Sequence, residues 1–127
     1  MHKHEQQFRL DTMNMPSSGD RILVLKWHWL QLILERRKTV EIRGLALRRG
    51  RYFLGFKKNI YGWAEFGDAL RVVNLKQWNQ LRTRHLMSHT ELPYKKTHGI
   101  PILKAKRFSE PVSFFHPKGA VSIVRMS

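Results

Sequence analysis

The chain contains no cysteine. That single absence excludes disulfide staples, thiolate zinc sites and cysteine nucleophiles. Acidic residues are scarce: nine Asp and Glu stand against 24 Lys and Arg in 127 residues, a formal net charge of +15. No apolar run approaches the ~20 residues of a membrane helix. The opening Met1-His2-Lys3-His4-Glu5 lacks the apolar stretch of a signal peptide. The expectation is a cytoplasmic protein with no membrane partner. Internal repeats, low-complexity tracts, glycine-rich phosphate loops and serine nucleophile elbows are also missing. What is present is a hydrophobic fraction of 42%, enough for a true core in one compact domain.

The charge is unevenly placed. Residues 1–20 hold Lys3 and Arg9 against Glu5, Asp11 and Asp20, whereas residues 21–60 hold eleven basic residues against two acidic ones. Residues 61–127 hold eleven against four. The excess therefore belongs to the folded part, where it can follow a phosphate backbone. Nucleic acid is the partner class this implies, and a uniformly solvated basic surface is the plainer alternative.

Residues 1–20, with Pro16, Ser17, Ser18 and Gly19, read as a flexible arm before a domain over 21–127. Ile22 to Leu25 is an apolar run suited to a buried first strand. Trp27 to Arg37 has helical spacing, with Trp27, Leu30, Ile33 and Leu34 on one stripe and Trp29 and Leu32 widening it. Thr39 to Arg43 alternates, with Val40 and Ile42 on one face and Thr39, Glu41 and Arg43 on the other. Further strands are expected at Tyr52–Phe56, Tyr61–Phe66, Ala69–Val73, Ile100–Lys106, Val112–Phe115 and Ala120–Val124. A second helix is expected over Leu75–Leu86, with Leu75, Trp78, Leu81 and His85 on one side. Short strands and frequent turns favour an α+β fold, a small β-barrel of about six strands with two flanking helices, over a parallel βαβ fold.

Leu25-Lys26, a helix, then Arg36-Arg37-Lys38-Thr39-Val40-Glu41-Ile42-Arg43 resembles the signature of the ASCH domains. These are relatives of the PUA RNA-binding domains and share a small β-barrel. The family pattern runs glycine, any residue, Lys, two residues, Glu, any residue, Arg. Lys38, Glu41 and Arg43 match it, and Arg36 stands in place of the glycine, a residue suited to a left-handed helix end. Arg49-Gly50-Arg51-Tyr52, Tyr61-Gly62-Trp63-Ala64, Thr97-His98-Gly99-Ile100 and Phe114 to Val121 are similar to later parts of the family, so the resemblance covers 22–126. It implies a PUA-like fold and a cleft lined by Lys38, Glu41 and Arg43, with Lys26 beside it and His98 near it.

In such a cleft the cations hold phosphate and the carboxylate accepts from a base amino group. The plainer reading is a surface ion pair between Glu41 and Arg43, stabilising by under ~1 kcal/mol. Lys57, Lys58, Lys95 and Lys96 would extend a phosphate-tracking surface, with Tyr94 and Tyr61 as candidate stacking rings. Trp27, Trp63 and Trp78 sit at core spacing. His85 and His89 are four apart, but no third ligand has suggestive spacing, so no metal and no cofactor are expected.

The expected function is RNA binding, with DNA as an alternative polymer. A second class is hydrolysis, either of a modified nucleoside, as in the family's N(4)-acetylcytidine amidohydrolases, or of RNA. In those amidohydrolases the resemblance places a nucleophilic Thr where this chain has Glu41. Thr39 lies two positions early, and Glu65 and Glu91 both compete for the acid. Lys38, Glu41 and His98 would be the cation, base and acid of a ribonuclease. A third class is an adaptor meeting an acidic protein.

Overall fold

The computed structural model describes residues 15–119 and 122–127. Most of the expected arm, including Lys3, Arg9 and the histidines His2 and His4, lies outside them. Within the arm's last residues, Gly19 donates to Met126 O and Met126 donates back to Asp20 O, at 2.7 and 2.8 Å.

Among the described residues, seven strands and three helices follow in the order β1 (Arg21–Val24), α1 (Trp27–Leu34), β2 (Val40–Arg43), β3 (Gly50–Phe56), β4 (Asn59–Phe66), β5 (Leu70–Val72), α2 (Leu75–Gln80), α3 (Arg82–His85), β6 (Thr97–Ser113) and β7 (Ile123–Arg125). The sheet runs β2-β6-β4-β3-β1-β7, with β5 also on β6. It is a curled, half-closed barrel of the small α+β kind.

The apolar run at β1 is explained by its central place. Leu23 packs with Leu30, Ile33, Tyr52, Leu54 and Phe66 under α1, while Ile22 packs with Phe53, Ile60, Trp63 and Phe114 on the other face. A strand covered on both faces needs apolar residues at successive positions. β1 also pairs parallel with β3, Ile22 opposite Phe53. The α1–β2 crossover supplies the chain length that a parallel pair requires. A third cluster, Val40, Ile42, Val72 and Trp78, seats β2 against β5 and α2.

β6 departs from expectation. The two strands expected at 100–106 and 112–115 are one strand of 17 residues. Between them β4 keeps pairing across a bulge, Gly62 opposite Arg107 and Ile60 opposite Val112, which also accommodates Pro111. At its start β6 carries β2 on one edge and β5 on the other, Gly99 pairing with both Ile42 and Leu70. Gly62 is required where β4 meets β6, because a Cβ there would collide with the Lys106 carbonyl. The single helix expected at 75–86 is two short ones, broken at Leu81, whose φ of −92° and ψ of 1° are not helical.

Beyond α1 the chain reverses through Arg36, which takes φ 62°. Arg36 N donates to Ile33 O, and Arg37 N and Lys38 N both reach Leu32 O. This is the left-handed helix end that the family glycine would serve, here adopted by arginine. Its guanidinium offsets the strain by donating to Ala105 O through Nε at 3.3 Å and Nη2 at 3.1 Å. The bond also covers part of the free edge of β6. Arg36→Ala should lower the unfolding free energy by about 1 kcal/mol through loss of this bond. Arg36→Gly should recover about 1 kcal/mol of that by removing the left-handed strain. Urea midpoints of the three proteins check the order.

Candidate functional site

The turn after α1 drops Lys38 beneath the helix, where its side chain is 1% exposed. Its Nζ donates to His85 O at 2.6 Å and lies 3.8 Å from Glu41 Oε1. It also sits 4.6 Å from the centre of the Trp29 ring, within cation–π range. Along β2, Glu41 and Arg43 fall on one face by strand alternation, and Arg43 Nη1 donates to Glu41 Oε2 at 3.2 Å. Glu41 is buried with both cations around it. The Lys38 contact is beyond hydrogen-bond range, so Oε1 keeps capacity to accept from a ligand donor.

The opposite wall comes from residues 87–94. Arg82 staples that segment, donating to Met87 O at 2.7 Å and His89 O at 2.9 Å. Trp78 Nε1 also donates to His89 O at 2.9 Å. Tyr94 is anchored by an exchange with Thr97 Oγ1 and packs over Gly44. Between the walls lies an open cavity of about 470 Å³. Lys26, Trp29, Lys38, Glu41, Arg43 and Tyr94 line it, together with apolar side chains and His89.

The structure thus brings together Lys26, Lys38, Glu41, Arg43 and Tyr94. His98 lies beside them rather than in the lining. His98 sits across from Arg43 in the β2–β6 pair, outside the lining, and its buried Nδ1 has no hydrogen-bond partner among the described residues. Lys95 and Lys96 are exposed beyond Tyr94, and Lys57 and Lys58 form the β3–β4 hairpin tip with φ of 47° and 69°. None of these four lines the cavity. Thr39, Glu65 and Glu91 are outside it too. Trp27, expected in the core, is 43% exposed, whereas Trp63 and Trp78 are buried. Trp29, Met87, His89 and Pro93 line the site without having been singled out for it. For Trp29 a signal existed: it follows Lys26 by three residues, one turn into α1.

His85 is committed elsewhere. Its ring stacks on Trp78 with centroids 3.8 Å apart. Nδ1 accepts from Met87 N at 2.9 Å, which leaves Nε2 to carry the proton toward Trp78 O at 3.1 Å. It is therefore no partner for His89 in a metal pair. Among the described residues no group of three or more His, Asp or Glu could hold a metal ion. No helix among them is long and apolar enough to cross a membrane.

Burial pushes the Lys38 ammonium down from 10.5 to about 8, and Glu41 acts in the opposite sense. Burial likewise lowers His85 from its ordinary 6.5, the Trp78 carbonyl opposing and Lys38 adding to the shift.

No family model matches the sequence, and no curated protein matches it. Solved structures do. The crystal structure of ASCH from Zymomonas mobilis aligns with a TM-score of 0.69 at 14% identity, covering 86% of this chain and 88% of that one. A single-residue mutant of that protein aligns with a TM-score of 0.68, also at 14% identity, covering 89% and 92%. The chain therefore has an ASCH-type fold.

Two titrations test the site. The Lys38 Cε resonance should titrate near pH 8 and shift lower still in Glu41→Gln, because the carboxylate is what holds the pKa up; an ordinary lysine titration near 10.5 would contradict the burial. His85, with its folded pKa below the unfolded value, binds fewer protons when folded, so stability should fall as pH drops below 6.5. The slope from one proton is at most about 1.4 kcal/mol per pH unit. It should flatten in His85→Gln, measured by urea unfolding across that range.

Proposed function

We propose that this protein binds RNA, seating one nucleotide of a single-stranded or loop segment in the cavity between α1, β2 and the 87–94 segment. The observation that carries the reading is that Lys26 lines one cavity with Lys38 and Arg43, the two cations held beside Glu41, and with Trp29 and Tyr94 in its walls. A volume of about 470 Å³ falls within the ~300–1,000 Å³ of small-ligand sites. Rings suit the base, the cations suit its phosphate, and Oε1 of Glu41 suits an exocyclic amino group. The field of a +15 chain adds steering toward a polyanion. Glu41 holds Lys38 and Arg43 in place as much as it faces ligand.

The hydrolase reading has one observation in its favour: Lys38, at about 8, can serve as a base near neutral pH. Against it, the lining offers no serine or threonine, and Thr39 and His98 lie outside. The RNA-binding reading is the better supported.

Fluorescence anisotropy with single-stranded RNA tests it, with DNA of the same sequence as a second arm. Affinity should fall steeply with salt. Lys38→Ala with Arg43→Ala should weaken binding and reduce the salt slope by about two, one per lost cation. Lys3→Ala with Arg9→Ala should do far less, and equal losses would remove the case for this cavity. Product analysis after incubation with RNA and with acetylcytidine distinguishes the readings: turnover lost in Glu41→Gln with the fold intact would favour the hydrolase.

A further inference from the structure

We infer that Trp27, backed by Phe56 and Tyr61, is a second ligand-contacting element, a stacking platform for the nucleobase adjacent to the one in the cavity. This deepens the RNA-binding reading and rests on it: the ligand becomes a single strand of at least two nucleotides rather than a free nucleotide or a duplex.

Trp27 opens α1, so it stands between two cavity-lining residues, Lys26 and Trp29. Its position beside the hairpin is fixed by the sheet. Leu25 N donates to Gly55 O at 2.9 Å, so β1 and β3 end side by side, and Lys26-Trp27 emerges next to Phe56-Lys57. The Trp27 ring is held from two directions, by Phe56 with centroids 5.3 Å apart and by Tyr61 at 4.9 Å in an edge-on contact. It nevertheless remains 43% exposed. A held aromatic surface loses little conformational freedom when a base stacks on it, and every base has a π-face to offer.

The surrounding charge selects the occupant. Lys57 Nζ sits 5.5 Å from the Phe56 ring centre, and Lys58 and Lys26 are exposed nearby in the chain. No acidic residue lies in the first turn of α1. Rings bordered by ammonium groups complement a base on a phosphate backbone, which also gives Lys57 and Lys58 a role although neither lines the cavity. A duplex keeps its bases stacked on each other and cannot use such a platform.

The test uses the whole chain with three probes: a single-stranded RNA of about ten nucleotides, the same RNA as a duplex, and a mononucleotide as competitor. Trp27→Leu keeps apolar bulk but removes the π-face. It should weaken single-strand binding roughly tenfold, leave duplex and mononucleotide affinity unchanged, and be largely rescued in Trp27→Tyr. Lys57→Ala, a surface change, should weaken the same probe selectively. The platform is overturned if Trp27→Leu leaves single-strand binding intact while Lys38→Ala with Arg43→Ala abolishes it. That result leaves the cavity reading standing. A parallel loss of mononucleotide affinity also overturns it, since Trp27 would then act through the cavity. If the unaltered protein binds none of the three probes, both readings fall.

Discussion

The buried ammonium of Lys38 is the constraint on which the site depends. A cation with almost no solvent must be repaid by protein groups, or it sheds its proton. Three groups from three parts of the chain do this: the His85 carbonyl at the end of α3, the Glu41 carboxylate on β2 and the Trp29 ring on α1. The start of β2, the end of α3 and the underside of α1 are thereby held to one point. The repayment is incomplete, since the Glu41 contact at 3.8 Å is beyond hydrogen-bond range, and burial pushes the ammonium down to about 8. In the proposed reading, the phosphate of a bound nucleotide completes it.

That constraint propagates outward. His85 can offer its carbonyl because its ring is locked on Trp78, with both nitrogens in hydrogen bonds. Trp78 and Arg82 in turn hold His89 O, which shapes the second wall. On the other side, the left-handed turn at Arg36 decides where Lys38 begins its descent. The helix end, the small helices and the 87–94 segment are thus parts of one support, and a change far from the cavity can alter its charge.

The alternation at Thr39–Arg43 placed Glu41 and Arg43 on one face, and the apolar run at 22–25 marked a strand covered on both sides. Lys26, Lys38 and Tyr94 meet them around one cavity. His98 stands beside the cleft through strand pairing alone, opposite Arg43 on β2, and no local pattern in the sequence reveals that pairing. Trp27 was misjudged for a related reason: helical spacing identifies a stripe, but the first residue of a helix lies at the rim of what the helix covers. The length of β6 was missed because its middle, Phe108 to Pro111, has no alternation of its own and is bridged only by the pairing of Arg107 and Val112 with β4 on either side of a bulge.

By itself the sequence determined the fold class, the concentration of charge in residues 21–127 and, through its resemblance to a family pattern, the Lys38–Glu41–Arg43 cluster. These are local properties, set by periodicity and by spacing over a few residues. Only the tertiary structure decided that Lys38 is buried, that its proton is held less tightly than an ordinary lysine's, and that Trp29 and the 87–94 segment complete the cavity. The partners responsible are far apart in the chain, 47 residues in the case of Lys38 and His85. Desolvation and long-range hydrogen bonds exist only once the chain has closed around them.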